Sequence, residues 1–289
     1  MIQISFFIVV ILLAPEFVKA QSFTPYPERP MRLVQGISFT PDGKTMYFTL
    51  PHKEYLESKG MDSNDDTPIL AIYSAVNDNG TWSTPEPIPF LDKYKEYEPT
   101  LSPDGKLMLF NSNRPKSGTK PQEKNDIWFS EKVGEMWSAP RNLGPLNTEL
   151  EESYPSITND STLIYVAEKI INGVSEYAIH ITRFNGTNTL PGVKIKSIDE
   201  PQGCGDPWIS PNGNYMIFTK FDNDRWQETC DLYVSYNQNG VWSEPAAIEP
   251  LNGEGPDFSP AVSPDGKWIY YRKNYQFVKV AVPENLMFR

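Results

Sequence analysis

One phrase recurs five times along this chain and limits its fold more than any other feature. The copies are Ser38-Phe-Thr-Pro-Asp-Gly-Lys-Thr-Met-Tyr-Phe48, Thr100-Leu-Ser-Pro-Asp-Gly-Lys-Leu-Met-Leu-Phe110, Ser156-Ile-Thr-Asn-Asp-Ser-Thr-Leu-Ile-Tyr-Val166, Trp208-Ile-Ser-Pro-Asn-Gly-Asn-Tyr-Met-Ile-Phe218 and Ala261-Val-Ser-Pro-Asp-Gly-Lys-Trp-Ile-Tyr-Tyr271. The aligned Asp42, Asp104, Asp160, Asn212 and Asp265 lie 62, 56, 52 and 53 residues apart, a period typical of stacked copies of one supersecondary unit. Pro-Asp-Gly between two apolar runs is a tight hairpin: proline presets φ, the aspartate bonds nearby backbone, and glycine accepts φ > 0. A second phrase follows three copies, running from Ile72-Tyr73 to Trp82-Ser83-Thr84-Pro85, from Ile127-Trp128 to Trp137-Ser138-Ala139-Pro140 and from Leu232-Tyr233 to Trp242-Ser243-Glu244-Pro245. The third copy keeps only its outline, Ile179 to Asn185-Gly186-Thr187 and then Pro191, without the tryptophan.

Each unit therefore reads as four antiparallel strands. The second strand is apolar on consecutive residues, as in Leu107-Met108-Leu109-Phe110, and such a strand needs cover on both faces. Sheets of about 53 residues covered on both faces pack radially, and closing the ring removes exposed ends. The expected fold is all-β, a five-bladed β-propeller with four antiparallel strands per blade. Its blades fall at about 36–91, 97–147, 153–200, 205–252 and 257–289. The last copy lacks a Trp-Ser-x-Pro phrase, whereas Pro27-Glu28-Arg29-Pro30-Met31-Arg32-Leu33 resembles Pro85-Glu86-Pro87-Ile88-Pro89-Phe90-Leu91. The amino-terminal segment 24–34 is expected to complete the fifth blade and lock the ring within a single domain, 21–289.

The Ser-Pro-Asp-Gly-Lys phrases resemble the WD40-like β-propeller repeats of the TolB type, also found beside some exported serine peptidases. The resemblance runs from about Gly36 to the end of the sequence, with both phrases in register. It departs at Asn159-Asp160-Ser161, at Asn212, and in number, since TolB propellers have six blades. It implies a β-propeller fold.

Export is read from the amino terminus, where an apolar run, Ile2 to Ala14, precedes Val18-Lys19-Ala20 and Gln21. Thirteen apolar residues fall short of the ~20 of a spanning helix, and a small residue at Ala20 suits secretory cleavage. Residues 1–20 are expected to be a signal peptide, leaving a secreted or periplasmic protein that is not integral to the membrane. In that compartment Cys204 and Cys230 are candidates for a disulfide. The only histidines, His52 and His180, are isolated, so neither a metal site nor a histidine-dependent nucleophile is expected. A serine peptidase is likewise not expected, for want of a nucleophile elbow.

The sequence carries 37 acidic against 26 basic residues, a net charge of −11, which argues against nucleic acid as a partner. The acid excess has an address. The connections 92–98, 147–154, 199–206 and 252–259 hold a net −9, on the face that also carries the long loops His52 to Pro68, Pro115 to Lys124 and Asp222 to Thr229. Long loops mark the functional face. Directly before the inner-strand prolines stand Glu98, Tyr154, Asp206 and Ser259, with Gly36 in the first blade; two places earlier stand Glu96, Glu152, Cys204 and Asp257. All are expected around the channel entrance, with Arg114 and Arg272, which end second strands, close by.

Such a mouth suits a basic peptide, a sugar or a Ca2+ ion. The leading expectation is a monomeric, noncatalytic module that binds an envelope protein, peptide or glycan through Glu96, Glu98, Glu152, Tyr154, Asp206, Asp257, Ser259 and Arg114. The alternative is a glycan-active hydrolase or lyase, with Glu98 and Asp206 as acid and base and Tyr154 between them. A structural propeller with an ion in its channel is a third expectation.

Overall fold

Each turn phrase closes the hairpin expected of it. In the first, Asp42 Oδ1 accepts from Thr40 Oγ1 at 2.7 Å and from the Lys44 amide at 3.0 Å, with Gly43 at φ 68°. Asp104 and Asp265 repeat both contacts, and Asn212 reproduces them with its amide oxygen. The third blade differs in length as well as chemistry. Its turn closes from Thr158 to Thr162 with Ser161 at φ 65°, whereas the second closes from Ser102 to Leu107. Its second strand is thereby shifted by one residue, so that Val166, and not Ala167, stands where Asn111 stands in the second blade.

The computed structural model describes residues 21–22, 35–58, 60–64, 67–187, 189–198, 203–283 and 286. Five antiparallel sheets form the five blades. Their inner strands are Gln35–Phe39, Glu96–Leu101, Glu152–Ile157, Gly203–Ile209 and Asp257–Val262. The second strands are Thr45–Pro51, Leu107–Ser112, Thr162–Ile171, Tyr215–Phe221 and Trp268–Lys273, followed by third strands Leu70–Asp78, Asp126–Val133, Val174–Arg183, Asp231–Gln238 and Gln276–Ala281. Short segments such as Glu86–Pro87 and Val193–Lys194 pair outside them.

In the fifth blade the outer place beside the third strand is taken, among the described residues, by Gln21–Ser22, pairing with Lys279 and Val278. The amino-terminal strand thus closes the ring. The segment 24–34 and the leader 1–20 lie outside the described residues. Among the described residues, no helix is long and apolar enough to cross a membrane.

The core lies between blades. Met108, Leu109 and Phe110 are fully buried, and Tyr47, Ile72 and Ile88 of the first blade pack with Met108, Phe110 and Trp128 of the second. Side chains of this size contribute about 1.5–3 kcal/mol each when buried. The recurring tryptophans brace these seams: the Trp137 ring meets Tyr47 edge-on at 5.9 Å and donates Nε1–H to its hydroxyl at 3.2 Å.

The connections between second and third strands vary most. The first blade inserts a helix, His52–Ser58; the third has a hairpin turning at Asn172-Gly173; the fourth has a turn at Asn223–Arg225 and a short helix, Trp226–Thr229; the fifth has only Asn274-Tyr275.

The disulfide expected between Cys204 and Cys230 is not formed, and both thiols are buried. Cys204 sits opposite Lys220, which sits opposite Asp231, so a whole strand separates the cysteines. Two strand spacings are about 10 Å, beyond the ~7 Å limit between bridged Cα atoms. Their side chains also diverge, Cys204 Sγ to the Tyr177 carbonyl of the third blade and Cys230 Sγ to the Asp257 carbonyl of the fifth.

Candidate functional site

Every inner strand carries a bulge at the same place, between Gln35 and Ser38, Tyr97 and Thr100, Ser153 and Ser156, Gly205 and Trp208, and Phe258 and Ala261. At each bulge one residue is left-handed: Gly36, Glu98, Tyr154, Asp206 and Ser259, at φ 50°, 53°, 53°, 45° and 56°. A non-glycine residue pays roughly 1–2 kcal/mol for this conformation, and four of the five blades do so. Bulges re-aim side chains. Here the five residues gather around the channel waist, a constriction of about 40 Å3.

The second strands anchor the bulges. Opposite each stands Thr49, Asn111, Val166, Thr219 or Arg272. The Glu98 amide donates to Thr49 Oγ1 at 2.9 Å and the Tyr154 amide to Asn111 Oδ1 at 3.0 Å, tying each blade to the one before it. Val166 and Arg272 offer no acceptor to the Asp206 and Gly36 amides, and the Ser259 amide does not use Thr219, so the pattern changes in these blades. Ser259 donates its amide to Asp206 Oδ2 at 3.3 Å, and the Gly36 amide donates to Ser259 Oγ at 3.2 Å.

The change opens a cavity of about 460 Å3 off the channel axis, lined mainly by the third, fourth and fifth blades. Glu98, Tyr154, Asp206 and Arg272 line it, with Thr219, Glu151 and Tyr177 at its sides and Trp226, Phe258 and Tyr275 forming an aromatic wall. Thr219 Oγ1 is enclosed beside the Cys230 thiol.

Electrostatics distinguish the two carboxylates. Withdrawal from water raises both above the usual carboxylate range, Glu98 well above it. Asp206 repels the charge of Glu98 further, while the Ser259 amide and the Arg272 guanidinium hold Asp206 down. A neutral Glu98 beside an ionised Asp206 is the arrangement these effects favour near neutrality.

The expected outer set of site residues is placed elsewhere. Glu96 is fully buried, receives Arg114 Nε at 2.7 Å and is raised to about 7 by burial. Arg114 also lies near Asp92 and over the Tyr94 ring. Glu152 accepts from the Thr148 amide and hydroxyl, and Asp257 from the Gly253 amide, each four residues back. These side chains brace their own connections and do not line the cavity. Ser259 belongs to the waist and Cys204 to the cavity wall. Sequence reasoning missed Glu151, Thr219, Trp226, Phe258 and Tyr275, and placed Arg272 only close to the channel entrance. Two signals were available: Arg272 where the repeat has Thr or Asn, and Asn274-Tyr275 where other hairpins have Asn-Gly.

No protein-family model matches the sequence, and no curated protein does. Solved structures do. The protein solved as a BT0996 RGII complex superimposes with a TM-score of 0.60, covering 93% of the present sequence and 92% of its own, at 11% identity. The endo-arabinase from Bacteroides thetaiotaomicron gives 0.55 over 88% and 96%, at 12% identity. A TolB-like protein from Agrobacterium tumefaciens gives 0.51 over 83% and 69%, at 14% identity. This is a shared propeller fold. The match spans 54% of the length of TolB from Acinetobacter baumannii. At these identities the likeness concerns architecture, and the chemistry of the mouth has to be read from its own residues.

Proposed function

We propose that the channel mouth is a carbohydrate-recognition site of a monomeric propeller exported through residues 1–20. The observation that carries this reading is the floor of the cavity. Glu98, Asp206 and Arg272 present donors and acceptors together in one cavity. Hydroxyl-rich ligands use such mixed sets, because each hydroxyl both gives and receives a hydrogen bond. A cavity of this volume falls within the ~300–1,000 Å3 of small-ligand sites. Ca2+ is served less well, since it takes about 6–8 oxygens and the carboxylate pair is accompanied by a guanidinium.

A second reading is favoured by the unequal carboxylates. With Glu98 protonated and Asp206 ionised, the pair matches the acid and base of glycoside hydrolysis, and the fold is shared with an endo-arabinase. Incubating the protein with a polysaccharide panel and measuring both binding and reducing-end release separates the two. Recognition predicts binding without release, weakened at least tenfold in Glu98→Gln with Asp206→Asn. Release that disappears in either single variant establishes hydrolysis, and binding that the double variant leaves intact removes the mouth from both readings.

A further inference from the structure

The hairpin ending the second strand of the fifth blade breaks a rule that other hairpins of the molecule keep. In Asn79-Gly80, Asn172-Gly173 and Asn239-Gly240 the second turn residue is glycine, at φ 96°, 81° and 88°. Its counterpart is Tyr275, at φ 65°, after Asn274 at 46°. A bulky side chain there costs roughly 1–2 kcal/mol that glycine would not. The backbone role does not require tyrosine, because Arg272 Nη2 bonds the Tyr275 carbonyl at 2.7 Å and glycine has the same carbonyl.

The ring is the part glycine lacks, and it stands in the cavity wall. Tyr275 is 43% exposed and meets Trp226 edge-on at 6.4 Å and Phe258 at 6.1 Å, while Trp226, 40% exposed, meets Phe258 at 6.2 Å. Trp226 is held in place by its insertion. Asp222 caps the Asn223–Arg225 turn, its amide donates to Thr229 Oγ1 at 2.9 Å, and the Cys230 amide closes on the Trp226 carbonyl at 3.0 Å. The guanidinium of Arg272 lies over the Phe258 ring at 5.2 Å and fixes the third member. Two half-exposed rings pre-positioned across a seam present apolar faces without an ordering cost on binding.

We infer that Trp226, Phe258 and Tyr275 form a subsite that holds the apolar face of a neutral sugar ring, while its hydroxyls turn toward Glu98, Asp206 and Arg272. The inference deepens the carbohydrate reading and rests on it. The facing wall disfavours acidic sugars: even with Glu98 neutral, Glu151 and Asp206 line the cavity against one cation, Arg272, so a uronate would enter a site with an excess of negative charge.

The test is affinity electrophoresis of the full mature protein in gels containing a neutral polysaccharide (arabinan, xyloglucan or mixed-linkage glucan) or an acidic one (polygalacturonate or alginate), with thermal melting in parallel. The wild type is expected to be retarded by at least one neutral polysaccharide and by neither acidic one. Tyr275→Gly and Trp226→Ala should each weaken binding at least tenfold, and Tyr275→Gly should melt no lower than the wild type because glycine relaxes the turn. Wild-type affinity in both variants, or preference for an acidic polysaccharide, overturns the subsite. If Tyr275→Gly melts lower, Trp226→Ala decides, and retained binding there also overturns it. Loss of binding in Glu98→Gln with Asp206→Asn but not in the aromatic variants overturns the subsite alone, whereas a wild type retarded in no gel overturns the carbohydrate reading with it.

Discussion

A Cβ placed on Gly36 would lie 2.6 Å from the Cα of Glu98, in a residue at φ 50°. The waist is that tightly closed, and one blade must contribute a residue with no side chain. Gly36→Ala is expected to lower stability by roughly 1–3 kcal/mol through overpacking alone, measured as a fall in the urea midpoint. Asn111→Ala should cost about 1–3 kcal/mol, because it strands the Tyr154 amide that Asn111 Oδ1 now receives. Sequence placed Gly36, Glu98, Tyr154, Asp206 and Ser259 in one ring because a strict repeat makes equivalent positions visible. It could not say which neighbouring carboxylates face inward. Glu96 and Glu98 both precede Pro99, yet the bulge turns one to the channel while Arg114 claims the other.

At the scale of elements, the closing strand is the joint on which the ring depends. Among the described residues, Gln21 and Ser22 cover the third strand of the last blade, across from Lys279 and Val278. Deleting residues 21–34 should expose that edge and replace one cooperative melting transition by a broad one at lower temperature, followed by circular dichroism. The hairpins were the most legible elements, since Pro-Asp-Gly and Asn-Gly each dictate a turn chemically. The third blade shows where such reading stops. Asn159-Asp160-Ser161 aligns with Pro-Asp-Gly by letter, but the turn is one residue shorter, and that shift brings Val166 to the cavity wall. Register is a property of the paired strands, and a single strand's sequence does not record it.

For the whole molecule, the closed ring gathers carboxylates whose titration opposes stability as pH rises. Burial raises Glu98, Asp206 and Glu152, takes Glu96 to about 7 and takes Asp257 to about 6. Unfolded carboxylates titrate near 4, so between about pH 4.5 and 7 the native state holds more protons and stability falls with rising pH. The turn aspartates Asp42, Asp104, Asp160 and Asp265 are lowered by their hydrogen bonds. Their contribution is present above about pH 4 and is lost as pH falls further. The melting temperature should therefore peak near pH ~5 and decline toward pH ~8. In Glu98→Gln with Asp206→Asn that decline should be shallower, as scanning calorimetry across the range would register.

The five bulges separate what holds the ring from what the ring displays. Each brings a single residue to the waist, while the paired strands on either side of it carry the seams between blades. Gly, Glu, Tyr, Asp and Ser already occupy these stations within one molecule, so the frame accepts very different chemistry at each. A lineage, or a designer, can rewrite the pore one blade at a time, provided a second strand or a neighbouring bulge side chain supplies an acceptor for the bulge amide.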